Sequence, residues 1–329
     1  MSFFALSSVL ALGLTACVTD EDNGTDDGGE DNGTDEALVL GLVPSQDADA
    51  LVEDADVLAE QLSEELDREV EPYITDNYSG LITAMETGQA DIGMFGPVAL
   101  VQAVDRADAE PILQSVRYGS DTYVTQWFTN DPDTYCMDEP VEEETEDGDT
   151  LLFCNGTDEA EDGPAGEEAL EQIEAGTTIS FVDEGSASGY YYPATQLEQV
   201  ADLDPMTDLD AQFAGGHPNS VLNVYNGEID LGVSFDDARL DVVEEQADVG
   251  EEVVVFAYSE NIPNDGIVVS GDLDEDEQQQ ITDAFMAMTE SDEGLQALED
   301  VYNIEDLVEA DVDALDAARQ VAENFGDEE

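Results

Sequence analysis

Short apolar runs that stop at glycine or proline alternate, along most of this chain, with segments whose apolar residues recur at helical spacing. Residues 38–44 (LVLGLVP) are the first such run, too short for a buried helix and closed by proline, so they read as a buried strand. Residues 55–66 follow, with Val57, Leu58, Leu62 and Leu66 on one side. A strand at 70–74, a helix at 78–87 ending before Gly88, a strand at 90–95 stopped by Gly96-Pro97 and a helix at 98–106 continue the rhythm. Strands alternating with helices of about ten residues are the mark of βαβ units and a mainly parallel sheet.

Two further strand-like runs, 111–117 and 123–129, precede a sharp change at 131–166, which is acidic and loop-like. The alternation resumes with a helix at 167–174, a strand at 179–182 and a helix at 190–200. Next come a strand at 212–213, a helix at 218–226, a strand at 229–234, a helix at 236–246 and strands at 252–257 and 266–270. Helices at 275–289, 294–301 and 312–325 close the chain. Two α/β units flanking a mid-chain crossover predict two lobes around a cleft, with the C-terminal helices returning to the first lobe. The division is 37–126 with 260–329 for one lobe and 127–259, carrying the 131–166 insert, for the other. Ligands of open α/β sheets sit at the carboxyl ends of strands, which directs attention to the turns after Phe95, Phe181, Phe213, Val233 and Ala257.

Charge narrows the function classes. The chain carries 85 acidic side chains against five arginines and no lysine, a formal net charge of −80. Nucleic acid and anionic lipid surfaces need a basic footprint and are excluded as partners. The acidity reads as adaptation to a salty or alkaline exterior, where ions screen self-repulsion over roughly 8 Å or less.

Residues 1–17 (MSFFALSSVLALGLTAC) form an apolar run too short to span a bilayer and read as a signal segment. The small residues before Cys17 resemble a bacterial lipobox, in which that cysteine becomes the lipidated N-terminus. No Lys or Arg precedes it, so either the true start lies upstream, the reading taken here, or the segment is not an export signal. Residues 18–36, rich in Asp, Gly, Thr and Asn, are expected to be a flexible acidic tether. The remaining pair, Cys136 and Cys154, reads as a disulfide in an exported protein; a metal pair is the alternative, without a nearby histidine to support it.

The stretch 177–193 (TTISFVDEGSASGYYYP) runs from a strand through a turn of small residues into a helix. That arrangement aims backbone N–H groups and hydroxyls at an anion, although an ordinary βα connection capped by Ser188 would look the same. His217, the one histidine, follows two glycines and precedes Pro218 at another helix start; it is either incidental or a second ligand donor. Tyr78 and Tyr123 read alone as core residues. Asp237 and Asp265 stand at strand-end turns, where in so acidic a chain a solvated side chain is the first reading. No carboxylate pair, metal-ligand spacing or Ser/His/Asp order is present, so neither an enzyme nor a cofactor is indicated.

Taken together, these stretches resemble the phosphonate/phosphate/phosphite-type substrate-binding proteins of ABC transporters. The matching motifs are Gly41-Leu42-Val43-Pro44-Ser45, Asp76-Asn77-Tyr78-Ser79-Gly80, residues 88–97, Ser180 to Tyr190, Gly215-Gly216-His217, Asn226 to Asp237, and Ile262-Pro263-Asn264-Asp265. The insert resembles that of actinobacterial members. The resemblance implies two Rossmann-like α/β lobes joined by two crossover strands, the type II periplasmic-binding-protein arrangement, closing on the ligand by a hinge. It implies that the family's Ser-Thr-Ser-Gly turn, here Ser186-Ala187-Ser188-Gly189, holds phosphoryl oxygens, with one hydroxyl lost at Ala187. It makes His217, Tyr78 and Tyr123 cleft contacts, and places Asp237 and Asp265 where aminophosphonate binders meet the ligand's ammonium. The implied protein is a monomer tethered by lipid at the extracellular face, passing a small phosphorus oxyanion to permease and ATPase subunits. A binder of the same architecture for another anion, such as a sulfonate, would not need His217 in the site; an exported phosphoester hydrolase would need a base and a nucleophile held together.

Overall fold

The computed structural model describes residues 37–145, 148–160 and 163–325; the signal segment, Cys17 and the tether lie outside the described residues. Leu38–Leu42 is an interior strand of the first sheet, second from one edge, with Leu38, Leu40 and Leu42 buried. Its sequence is continuously apolar because helices cover both faces. Val70–Ile74 and Ile92–Phe95 flank it in parallel. Gly266–Val269, Glu110–Val116 and Asp306–Glu309 complete a six-stranded sheet, each antiparallel to its neighbour. The sheet is therefore mixed rather than mainly parallel, because Gly266–Val269 enters it from the opposite end after the chain's passage through the second sheet. Asp306–Glu309 was not anticipated: Leu307 is its one buried residue, too little for an apolar run.

The helix expected at 55–66 extends over Ala48–Leu66, because the Asp47 carboxylate caps the N–H groups of Asp49 and Ala50. Leu51, Ala55, Leu58 and Leu62 face inward, whereas Val57 is exposed. Glu275–Thr289 begins with a capping box between Asp274 and Glu277. It packs with Asp292–Tyr302 on Ala48–Leu66, while Val312–Phe325 lies against Pro97–Ala107. Ile281, Phe285, Leu298 and Leu315 thereby join the core of the first sheet.

The second sheet has seven strands. Thr125–Thr129 runs antiparallel between Leu231–Phe235 and Val254–Tyr258. Thr178–Phe181 pairs in parallel with Leu231–Phe235, and Asp210–Phe213 with Thr178–Phe181. Between the two sheets the chain crosses out through Thr122–Tyr123 and back through Ile262–Pro263, and these two segments pair antiparallel with each other.

Two regions correct the sequence reading. The insert expected to be a loop contains the helical turn Pro132–Tyr135 and a hairpin, Val141–Glu144 against Thr150–Phe153, that extends the second sheet. Leu151 and Phe153 are buried while every residue of Val141–Glu144 is exposed. The glutamates hid the strand from an apolar-pattern reading and keep the sheet edge from pairing further. Cys136 and Cys154 are joined by a disulfide. The helix expected at 236–246 is reduced to the 3₁₀ turn Leu240–Val242. There the Asp237 carboxylate accepts from the backbone N–H of Arg239, a local bond that competes with helix formation.

Candidate functional site

The first wall is the helix start after Thr178–Phe181. A helical run begins with a π-turn at Ala187–Tyr191 and continues through Tyr192–Gln196 and Leu197–Ala201. The Ser186 hydroxyl accepts from the Gly189 N–H at 3.1 Å, capping the run while keeping its own proton to donate. A Cβ on Gly189 would lie 2.4 Å from Cβ of Val182, so glycine lets the helix start close on the strand. Ser186, Ala187 and Ser188 line a cavity of about 20 Å³, but Gly189 does not.

The second wall is His217, first residue of the helix His217–Tyr225. Gly215 before it has φ +81°, a conformation that favours glycine. His217 is 4% exposed. Its Nδ1 lies 2.7 Å from the Ser234 hydroxyl and 3.4 Å from the Phe235 N–H. A backbone N–H can only donate, so Nδ1 is an acceptor and the ring proton sits on Nε2. Burial first, and then Arg117, push the His217 pKa down to about 3. The ring is therefore a neutral donor at physiological pH.

Tyr78, at the start of Tyr78–Glu86, and Tyr123, in the crossover pair, line the same cavity. Burial and then the Asp265 charge hold both phenols well above their ordinary pKa, with the Ser186 and Ser188 hydroxyls opposing the shift in Tyr78 and Tyr123 respectively. Both remain protonated. Asp265 also lines the cavity. It is positioned by Asn264, whose side chain donates to the carbonyls of Ser115 and Ser120. Burial raises the Asp265 pKa while Arg117 opposes the rise.

The structure thus brings together Tyr78, Tyr123, Ser186, Ala187, Ser188, His217 and Asp265. Asp237 is elsewhere. Its carboxylate accepts from Nε and Nη2 of Arg239 and from the Gln126 amide. Asp236 lines a neighbouring cavity of about 240 Å³ that shares Arg117 and Tyr123 with the first. Burial takes Asp236 up to about 6. The expectation of an ammonium held between Asp237 and Asp265 therefore loses one of its two carboxylates to Arg239. The larger cavity is lined by neither the serine turn nor His217, so chemistry rather than size makes the smaller one the candidate site.

Sequence reasoning missed Arg117, which follows the strand Glu110–Val116. It is 6% exposed, with its guanidinium 4.9 Å from the Phe235 ring centre and 5.8 Å from that of Tyr123. The usable signal was its place at the carboxyl end of a strand in a chain with five arginines. Ser45 and Gln46 also line the cavity, and the His217 backbone N–H donates to the Ser45 carbonyl at 3.0 Å. The seat is thus built by elements flanking both sheets.

Two α/β sheets bridged by a crossover pair, with polar side chains from both meeting in one small cavity, define the fold of type II periplasmic binding proteins. Solved structures share it. The binding protein component of an ABC phosphonate transporter from Pseudomonas aeruginosa aligns with a TM-score of 0.70 and 20% identity over 88% of this chain and 86% of that one. PhnD1 from Prochlorococcus marinus, solved with methylphosphonate, aligns at 0.71 and 18% over 88% of this chain and 98% of its own.

Residues 40–315 match the family model described as "ABC transporter, phosphonate, periplasmic substrate-binding protein", and the chain belongs to that family. The phosphate-import protein PhnD of Mycolicibacterium smegmatis is 28% identical over 210 residues, 61% of this chain and 56% of that protein. The phosphonates-binding periplasmic protein of Escherichia coli is 23% identical over 254 residues, 77% of this chain and 66% of that protein. The aligned region thus spans between about half and two thirds of those relatives' own lengths.

Proposed function

We propose that this protein is the solute-binding component of an ABC importer, capturing a small phosphorus oxyanion and delivering it to permease and ATPase subunits. The observation that carries this reading is the convergence of Ser186, Ser188, neutral His217, Tyr78 and Tyr123 on one cavity of about 20 Å³. Each can donate a hydrogen bond, as a tetrahedral oxyanion requires. The withdrawal of Asp237 into its pair with Arg239 disfavours ligands that carry an ammonium. Residues 37–126 with 260–329 are one lobe in this reading and 127–259 the other, with capture as a population shift toward the closed form. Lipidation at Cys17 would hold the monomer at the extracellular face. The family assignment and the methylphosphonate held by the Prochlorococcus protein support the ligand class.

Titration calorimetry with phosphate, phosphite, methylphosphonate and 2-aminoethylphosphonate tests the reading. At least one of the first three binds, and the aminophosphonate binds more weakly. Absence of heat with all four overturns it.

A further inference from the structure

Positive charge is the scarcest chemical resource in this chain, and four of its five arginines hold it away from the cavity. Arg68 pairs with Glu277, Arg106 with Glu86, Arg239 with Asp237, and Arg319 with Asp105 and Asp316. Arg117 is placed differently. Its Nη1 stands 3.7 Å from Oδ2 of Asp265, beyond hydrogen-bond length. Its buried Nε has no partner among the described residues. A guanidinium has five N–H donors, and one this buried is costly to leave unsatisfied. Arg117 lines the cavity, so a ligand there is the natural recipient.

Asp265 supplies the opposite constraint. A carboxylate facing an oxyanion repels it unless a proton lies between their oxygens. The Arg117–Asp265 pair sums to zero charge, so the site meets the ligand's charge with hydrogen-bond donors rather than an excess of cations.

We propose that Arg117 contacts the bound oxyanion directly. Asp265 beside it accepts a hydrogen bond from a protonated ligand oxygen, so that the site selects a tetrahedral anion still carrying an acidic proton over one fully ionised. This inference rests on the reading of the cavity as a phosphorus-oxyanion seat. Inorganic phosphate keeps such a proton throughout the neutral range, and sulfate has none. A singly substituted phosphorus acid loses its last proton near neutrality, at about 6 for a phosphoester. The surrounding groups leave the discrimination to this pair. The phenols of Tyr78, Tyr123 and Tyr302 are all raised by burial and stay protonated, and His217 is neutral. Asp183 acts on Tyr78 from farther out, while Asp236 and Asp241 lie within the field of Arg117.

The test is calorimetry on the full chain with phosphate, sulfate and methylphosphonate at about pH 6 and about pH 8, either side of that last ionisation. Wild type prefers phosphate to sulfate by about a hundredfold or more, and methylphosphonate weakens relative to phosphate at the higher pH. Asp265→Asn brings the phosphate-to-sulfate ratio within about tenfold of unity, and Arg117→Gln weakens phosphate by about ten- to a hundredfold, with partial recovery in Arg117→Lys. Equal affinity for sulfate and phosphate in the wild type, an unchanged ratio in Asp265→Asn, or full phosphate affinity in Arg117→Gln overturns the inference while leaving the seat itself standing. Failure of every phosphorus oxyanion to bind wild type removes the underlying reading and this inference with it. The sulfate and pH comparisons need no variant, so they decide the matter even where a substitution prevents folding.

Discussion

Two buried arginines in this molecule have opposite fates. Arg239 is 0% exposed, and all three of its guanidinium nitrogens have partners. Nε and Nη2 bond the Asp237 carboxylate, and Nη1 donates to the carbonyls of Leu152 and Val253 at 2.8 and 2.7 Å. It ties the turn after Leu231–Phe235 to the strand Thr150–Phe153 and to the residue just before Val254–Tyr258. Arg117 has one carboxylate at 3.7 Å and an Nε without a partner among the described residues. The same side chain thus serves as scaffold where every nitrogen has a partner and as a site where one does not.

Removing each should separate the two roles. Arg239→Met removes the guanidinium from the Asp237 carboxylate and from two carbonyls, a loss of about 3–5 kcal/mol in the range for broken buried pairs. Thermal melts should show it, with phosphate affinity of the folded fraction unchanged; an unshifted melt would break the comparison. Replacing Cys136 and Cys154 by serine loosens the same region, since Leu152 lies two residues from the disulfide. The chain-entropy model gives about 3 kcal/mol for such a loop, read as a lower denaturation midpoint. Arg117→Met should do the reverse of Arg239→Met: a smaller change in melting temperature, and about 1.5–3 kcal/mol less binding free energy for phosphate by calorimetry.

The effect with the most gradual onset concerns pH. His217 has an ordinary pKa of 6.5 and is pushed down to about 3 in the fold. Between these values the unfolded chain binds a proton that the native state refuses, so stability from this group is complete above the upper value and falls as pH drops toward the lower. Asp236, raised from 3.8 to about 6, acts with the opposite sign and stabilises the fold as pH falls through that window. Denaturant melts at several pH values should therefore show wild type losing stability relative to His217→Gln on acidification. A constant difference would mean that His217 is not held neutral.

The first sheet was legible because its interior strand Leu38–Leu42 is covered on both faces, which writes burial into the sequence as an unbroken apolar run. Val141–Glu144 carries no such mark: it is a strand by pairing, not by burial, and its glutamates spell solvent. The turn at Asp237 to Arg239 misled helix periodicity because the spacing of apolar residues cannot report a carboxylate folding back on the chain. Within the site, Ser186 and His217 could be found because helix starts have their own chemistry in small residues and glycines. Arg117 was marked only by its place at the carboxyl end of a strand, since its spare donors exist only once Phe235, Tyr123 and Asp265 surround it.

The contact between the His217 N–H and the Ser45 carbonyl is made by main chain alone. Exchange of the side chains at either position leaves its atoms in place, and proline at 217 is the one natural residue that would delete the donor. This joint and the ligand chemistry are in that respect inherited separately. A descendant could rewrite the donors around the anion, changing what it gathers, while this clasp between His217 and the turn after Leu38–Leu42 passed through unaltered.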